Sequence, residues 1–63
     1  MNGFHIGDIV TFNKDVFDDL GRLYNMGSVY EVIDTYGYYV KLASEFNGWI
    51  SCDEIELLNK MLT

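Results

Sequence analysis

The sequence predicts an all-β fold, five short strands closing into a small barrel, in a single domain of 63 residues. Turn signals divide the chain into short pieces, at the spacing of a sandwich or barrel. The runs between them are rich in β-branched and aromatic residues. Closing so small a sheet on itself also removes most exposed edges. The chain is 49% hydrophobic and 16% aromatic, which is too apolar for a disordered chain. A chain of this length buries only about 60% of its unfolded surface, so most large apolar side chains are needed for the core.

The first element follows from "FHIGDIVTF". Gly7-Asp8 signals a turn, and Ile9 to Phe12 read as a strand. In "NKDVFDDLGRLYNMG", the apolar residues Val16, Phe17, Leu20, Leu23 and Tyr24 have helical spacing, with Asp15 able to cap and Gly27 to end a helix. Gly21 stands in its middle, where glycine costs a helix about 1 kcal/mol. The reading is a long first loop with at most a turn or two of helix, pinned to the core by Leu20 and Leu23. A continuous helix is the alternative.

"SVYEVIDTYGYYVKLAS" reads as a hairpin, and loop length decides which residues face inward. A two-residue Tyr36-Gly37 loop would set Glu31 opposite Leu42 and turn Glu31 inward. A three-residue Tyr36-Gly37-Tyr38 loop, or any loop of the same parity, sets Val32 opposite Leu42. Tyr30, Val32, Val40 and Leu42 then share the inner face, with Glu31 and Lys41 outside. Burying an unpaired carboxylate is expensive, so the second register is expected. Gly37 can supply a left-handed residue there, as part of a bulge. "EFNGWIS" gives a turn at Asn47-Gly48 and a short strand through Trp49 and Ile50. "CDE" fits one 3₁₀ turn, "IELLN" a last strand, and the final residues are expected to fray.

The closing run "NGWISCDEIELL" resembles that of Src-homology-3-like (SH3-like) small barrels. There a Gly-aromatic-aliphatic strand, matched by Gly48, Trp49 and Ile50, precedes one 3₁₀ turn, matched by Ser51 to Glu54. A last strand, matched by Ile55 to Leu58, pairs back to the first. "GDIVTF" looks like the first strand of such barrels and residues 13 to 27 like their long first loop. Many small bacterial and phage proteins look like this. The chain departs from the proline-peptide-binding members. Tyr38-Tyr39 begin the middle strand where those members carry tryptophan, and Ser51 and Glu54 stand at their proline and tyrosine positions. Only Trp49 matches a groove aromatic, so a polyproline ligand is not implied, since that groove needs several aromatic ridges.

Ten acidic and four basic residues give a net charge of -6. This argues against direct contact with nucleic acid or an anionic membrane, and permits a partner with a basic surface. No stretch approaches the roughly 20 apolar residues of a membrane span. Cys52 is the only cysteine, and no apolar run of signal length follows Met1, so a cytoplasmic protein is expected. His5 and Cys52 could form a dyad only with an orienting group and an oxyanion site, neither of which is signalled. Asp15, Asp18 and Asp19 lack the ligand series of a calcium loop and read as a solvated loop. Asp53, Glu54 and Glu56 read as a soluble rim. No catalytic residue, cofactor or metal site is assigned.

The remaining signal is aromatic. Tyr36, Tyr38 and Tyr39 crowd one hairpin end, Trp49 lies in the neighbouring strand, and Asp53 and Glu54 frame them. Tyrosine and tryptophan anchor protein interfaces, although in so small a domain they could equally cover the core. The expectation is a non-catalytic protein-interaction module of phage or bacterial type, monomeric or weakly homodimeric. The alternative is an acidic nucleic-acid mimic occupying the basic groove of a host protein.

Overall fold

The computed structural model describes residues 3–46 and 48–58. The chain is all-β: β1 (Ile9–Thr11), β2 (Val16–Phe17), β3 (Leu23–Tyr24), β4 (Val29–Tyr36), β5 (Tyr39–Leu42) and β6 (Ile50–Ser51), then a 3₁₀ turn (Cys52–Glu54) and β7 (Glu56–Leu57). Five strands form one antiparallel sheet in the order β6-β5-β4-β1-β7, and β2 and β3 pair separately. The expected five strands are therefore present, but the barrel is not closed. β6 and β7 remain the two ends of the sheet. Each has only two residues. Among the described residues no ladder joins these two ends.

The first loop holds no continuous helix, as the loop reading expects, but it is a regular hairpin, and Leu20 and Leu23 do not anchor it. Residues 13–27 contain neither a helix nor a helical turn; they fold as the β2–β3 hairpin. Val16 pairs with Tyr24, and Phe17 with Leu23. The two-residue period of a strand buries Val16 and Tyr24 and turns Phe17 and Leu23 outward. Leu20 and Leu23 are exposed and do not pin the loop. Gly21, the apparent helix breaker, is a turn residue at φ +81°, and its N–H donates to the Asp18 carbonyl at 3.1 Å.

In the second hairpin Val32 faces Leu42, and both are buried, as expected. Glu31 is exposed. The loop itself is shorter than expected. Tyr36 pairs with Tyr39, leaving Gly37 (φ +57°) and Tyr38 as the two loop residues. A bulge between Val32 and Asp34, at Ile33, absorbs the difference and restores the inward face. The Asn47-Gly48 turn involves residue 47, outside the described residues. The strand after it begins at Ile50 rather than Trp49, because the Trp49 N–H donates to Asp19 Oδ1 at 2.7 Å. The 3₁₀ turn falls where expected, with Ser51 Oγ accepting the Asp53 N–H. β7 pairs back to β1. The expected end of that strand at Asn59, and the last residues, lie outside the described residues.

The core holds Val10, Phe12, Val16, Tyr24, Val32, Val40, Leu42, Ile50 and Ile55. Its largest member is Tyr24, whose ring centroid lies 5.2 Å from Phe12, 5.1 Å from Tyr30 and 5.8 Å from Phe46. The phenol shares a 2.9 Å hydrogen bond with Ser44 Oγ. Burial pushes the Tyr24 phenol above its ordinary value of 10.0; the Ser44 bond opposes this, and the Asp18 and Tyr30 charges add to it. Below about pH 10 the phenol is neutral in both states. As the pH rises further, the unfolded chain ionises first while the folded chain keeps its proton, so stability falls through the raised folded value. Thermal melts of the parent and Tyr24→Phe test this. The parent should lose more stability than the variant between about pH 9 and about pH 11. Parallel pH profiles would refute it.

Candidate functional site

Tyr36 and Tyr39 face each other across the last pair of the hairpin, and β6 pairs alongside through Tyr39 and Ser51. This brings the Trp49 ring to 6.0 Å from Tyr36, tilted by 49°. Lys41 Nζ lies 4.6 Å from the Trp49 ring centroid, a cation–π contact that supports the indole. The tip of the first loop completes the arrangement. Asp19 and Trp49 exchange two bonds, Trp49 N–H to Asp19 Oδ1 at 2.7 Å and Asp19 N–H to the Trp49 carbonyl at 3.3 Å. The result is a groove of about 310 Å³ lined by Asp19, Tyr36, Tyr39 and Trp49.

Of the residues singled out from sequence, the structure brings Tyr36, Tyr39 and Trp49 together. Tyr36 is 74% exposed and Tyr39 48%, while Trp49 is half-buried. Tyr38 is exposed at the hairpin tip and does not line the groove. Asp53 and Glu54 do not line it either. Asp53 is exposed on the 3₁₀ turn. Glu54 Oε2 pairs with Lys14 Nζ at 3.2 Å. Asp19 was missed as a groove residue. Nothing local in the sequence places it against Trp49, thirty residues away.

Asp15 and Asp18 serve structural tasks. Asp15 Oδ1 accepts the Met26 N–H at 2.8 Å. Asp18 is not solvated as expected. It is 6% exposed, and its Oδ1 accepts the Leu20 and Arg22 N–H groups, each at 2.9 Å. Its Oδ2 is buried with no hydrogen-bond partner. The His5 ring is exposed, with Nδ1 3.9 Å from Asp8 Oδ2. Burial, followed by the Asp53 charge, pushes the Cys52 thiol up. That is the opposite of the lowered value that activates a nucleophilic cysteine. Among the described residues no group of three or more His, Cys, Asp or Glu is placed to hold a metal. No helix among them is long and apolar enough to cross a membrane. A second, more polar cleft of about 400 Å³ is lined by Leu20, Arg22, Glu45 and Phe46, with the Arg22 guanidinium 5.1 Å from the Phe46 ring centroid.

Comparison with protein-family models, curated proteins and solved structures found no match to this chain.

Proposed function

We propose that the chain is a small, non-catalytic protein-interaction module of SH3-like type that binds another protein at the groove between its first loop and the β4–β5 hairpin. Strand order supports the SH3-like reading: β7 returns to β1 after a 3₁₀ turn, and a long excursion separates β1 from β4. The aromatic wall carries the functional reading. The core is complete without Tyr36, Tyr38, Tyr39 or Trp49. A chain with so little apolar material to spare nonetheless leaves three of these rings half or more in solvent or nearly so, with Tyr39 at 48%. Contiguous exposed aromatics of this kind mark interaction surfaces. The net charge of -6 suits a partner with a basic face.

The groove supports this reading over nucleic-acid mimicry. Asp15, Asp18 and Asp19 each accept a backbone amide and Glu54 pairs with Lys14, so these four carboxylates are partly engaged within the fold. The test is capture of a partner from the native host by the immobilised chain, followed by titration with purified partner. Tyr36→Ala should weaken binding by roughly tenfold or more, the loss of one anchoring residue, while leaving thermal stability nearly unchanged. Weak salt dependence is expected for an aromatic interface, and steep dependence for mimicry. Unchanged affinity in Tyr36→Ala and Trp49→Phe would move the interface elsewhere.

A further inference from the structure

We infer that the tip of the first loop, Asp18 to Arg22, is a strap that alternates between docked and released positions and completes the groove only when docked. The hairpin is anchored at its base and weakly held at its tip. At the base, Val16 and Tyr24 are buried, and the Gly27 N–H donates to the Phe12 carbonyl at 2.8 Å. Beyond the base, β2 and β3 have no ladder to the five-stranded sheet. Phe17, Leu20 and Leu23 are all exposed, so little apolar burial holds the tip.

What docks the tip is polar. Asp19 exchanges its two bonds with Trp49, Asp18 packs against Gly48, and the Arg22 guanidinium lies 5.1 Å from the Phe46 ring centroid. Asp18 opposes its own docking. It is the one buried charged side chain among the described residues, and half of its carboxylate lacks a donor. An unsatisfied buried oxygen is a penalty that release into water removes. Local opening draws on segments of this kind, with few apolar contacts and a price already paid in desolvation. Asp19 is a wall of the groove, so releasing the tip dismantles that wall, and a ligand that touches Asp19 favours the docked state. This consequence for binding rests on the proposed groove; the strap itself does not.

Native-state hydrogen exchange of the unliganded chain tests it, so failure of the groove to bind and failure of the strap are separate results. The reporters are the two amides whose bonds cross between the tip and Trp49: the Trp49 amide, bonded to Asp19 Oδ1, and the Asp19 amide, bonded to the Trp49 carbonyl. The reference is the amide of buried Val32 in β4, which donates to the Asp8 carbonyl, just before β1, at 2.8 Å. These two amides should be protected at least about tenfold less than Val32. Asp18→Asn keeps the accepting oxygen and removes the buried charge, while its amide nitrogen takes the orphan position, so it tests the burial of charge. It should raise tip protection roughly tenfold and leave Val32 unchanged. Tip protection equal to that of Val32 in the parent would overturn the strap. Unchanged or lowered tip protection in Asp18→Asn would overturn the role given to Asp18.

Discussion

Truncating Tyr24 to alanine should abolish cooperative folding. A domain of this size has a total stability of roughly 0.05–0.15 kcal/mol per residue. Removing a fully buried large aromatic costs about 3–5 kcal/mol, a sum comparable to the whole. The ring is the meeting point of Phe12, Tyr30 and Phe46, and its hydroxyl is the partner of Ser44, which would lose that bond. Tyr24 also closes the base of the first-loop hairpin through its pair with Val16. Near-ultraviolet circular dichroism and thermal melting should show lost tertiary signal and no sharp transition. Tyr24→Phe, which keeps the ring and forfeits one hydrogen bond, should fold with a loss of about 1 kcal/mol. A Tyr24→Ala variant that melts within a few degrees of the parent would mean that the aromatic cluster is not the centre of the core.

Gly48→Ala should empty the docked position of the first-loop tip. Gly48 is buried and has no left-handed φ, so its requirement is space and not backbone freedom. A methyl group there would overlap the Asp18 carboxylate and stand 2.8 Å from Asp18 Cβ. Asp18 cannot swing aside without releasing the Leu20 and Arg22 amides. Overpacking of this kind costs about 1–3 kcal/mol, and here the tip can escape it only by leaving. The chain has one tryptophan, adjacent to the substitution, so its emission reports the change directly. Gly48→Ala should shift that emission and lower the melting temperature, while Asp18→Ser in the same chain should recover part of both losses. Strictly additive losses in the double variant would show that the two residues do not meet.

Much of the sheet was legible because parity and burial cost point the same way. An inward Glu31 was too expensive, and this alone selected the pairing of Val32 with Leu42. The 3₁₀ turn and the return of the last strand to β1 were legible from the short polar "CDE" between apolar runs. The first loop was not legible in the same way. Residues 16 and 24 lie on one face of a helix and also face each other in a hairpin, so spacing could not separate the two. The choice decided the fate of Leu20 and Leu23, which a hairpin turns outward. The site divides along the same line. The nearness of Trp49 to the tyrosine-rich hairpin follows from strand adjacency. Asp19 reaches Trp49 only through tertiary folding of a loop, which leaves no periodic trace.

The bulge at Ile33 divides β4 into two segments with different registers against β5. Below it the pairing with β5 is set by Val32 and Leu42, which the core holds in place. Above it Asp34, Thr35 and Tyr36 pair in a different register with Lys41, Val40 and Tyr39. A residue gained or lost in the upper half can be matched by removing or moving the bulge, without turning Val32 outward. Only the outermost hairpin end, beyond the Thr35–Val40 pair, is therefore free to change in length, since Val40 belongs to the core and Tyr39 is tied to Ser51.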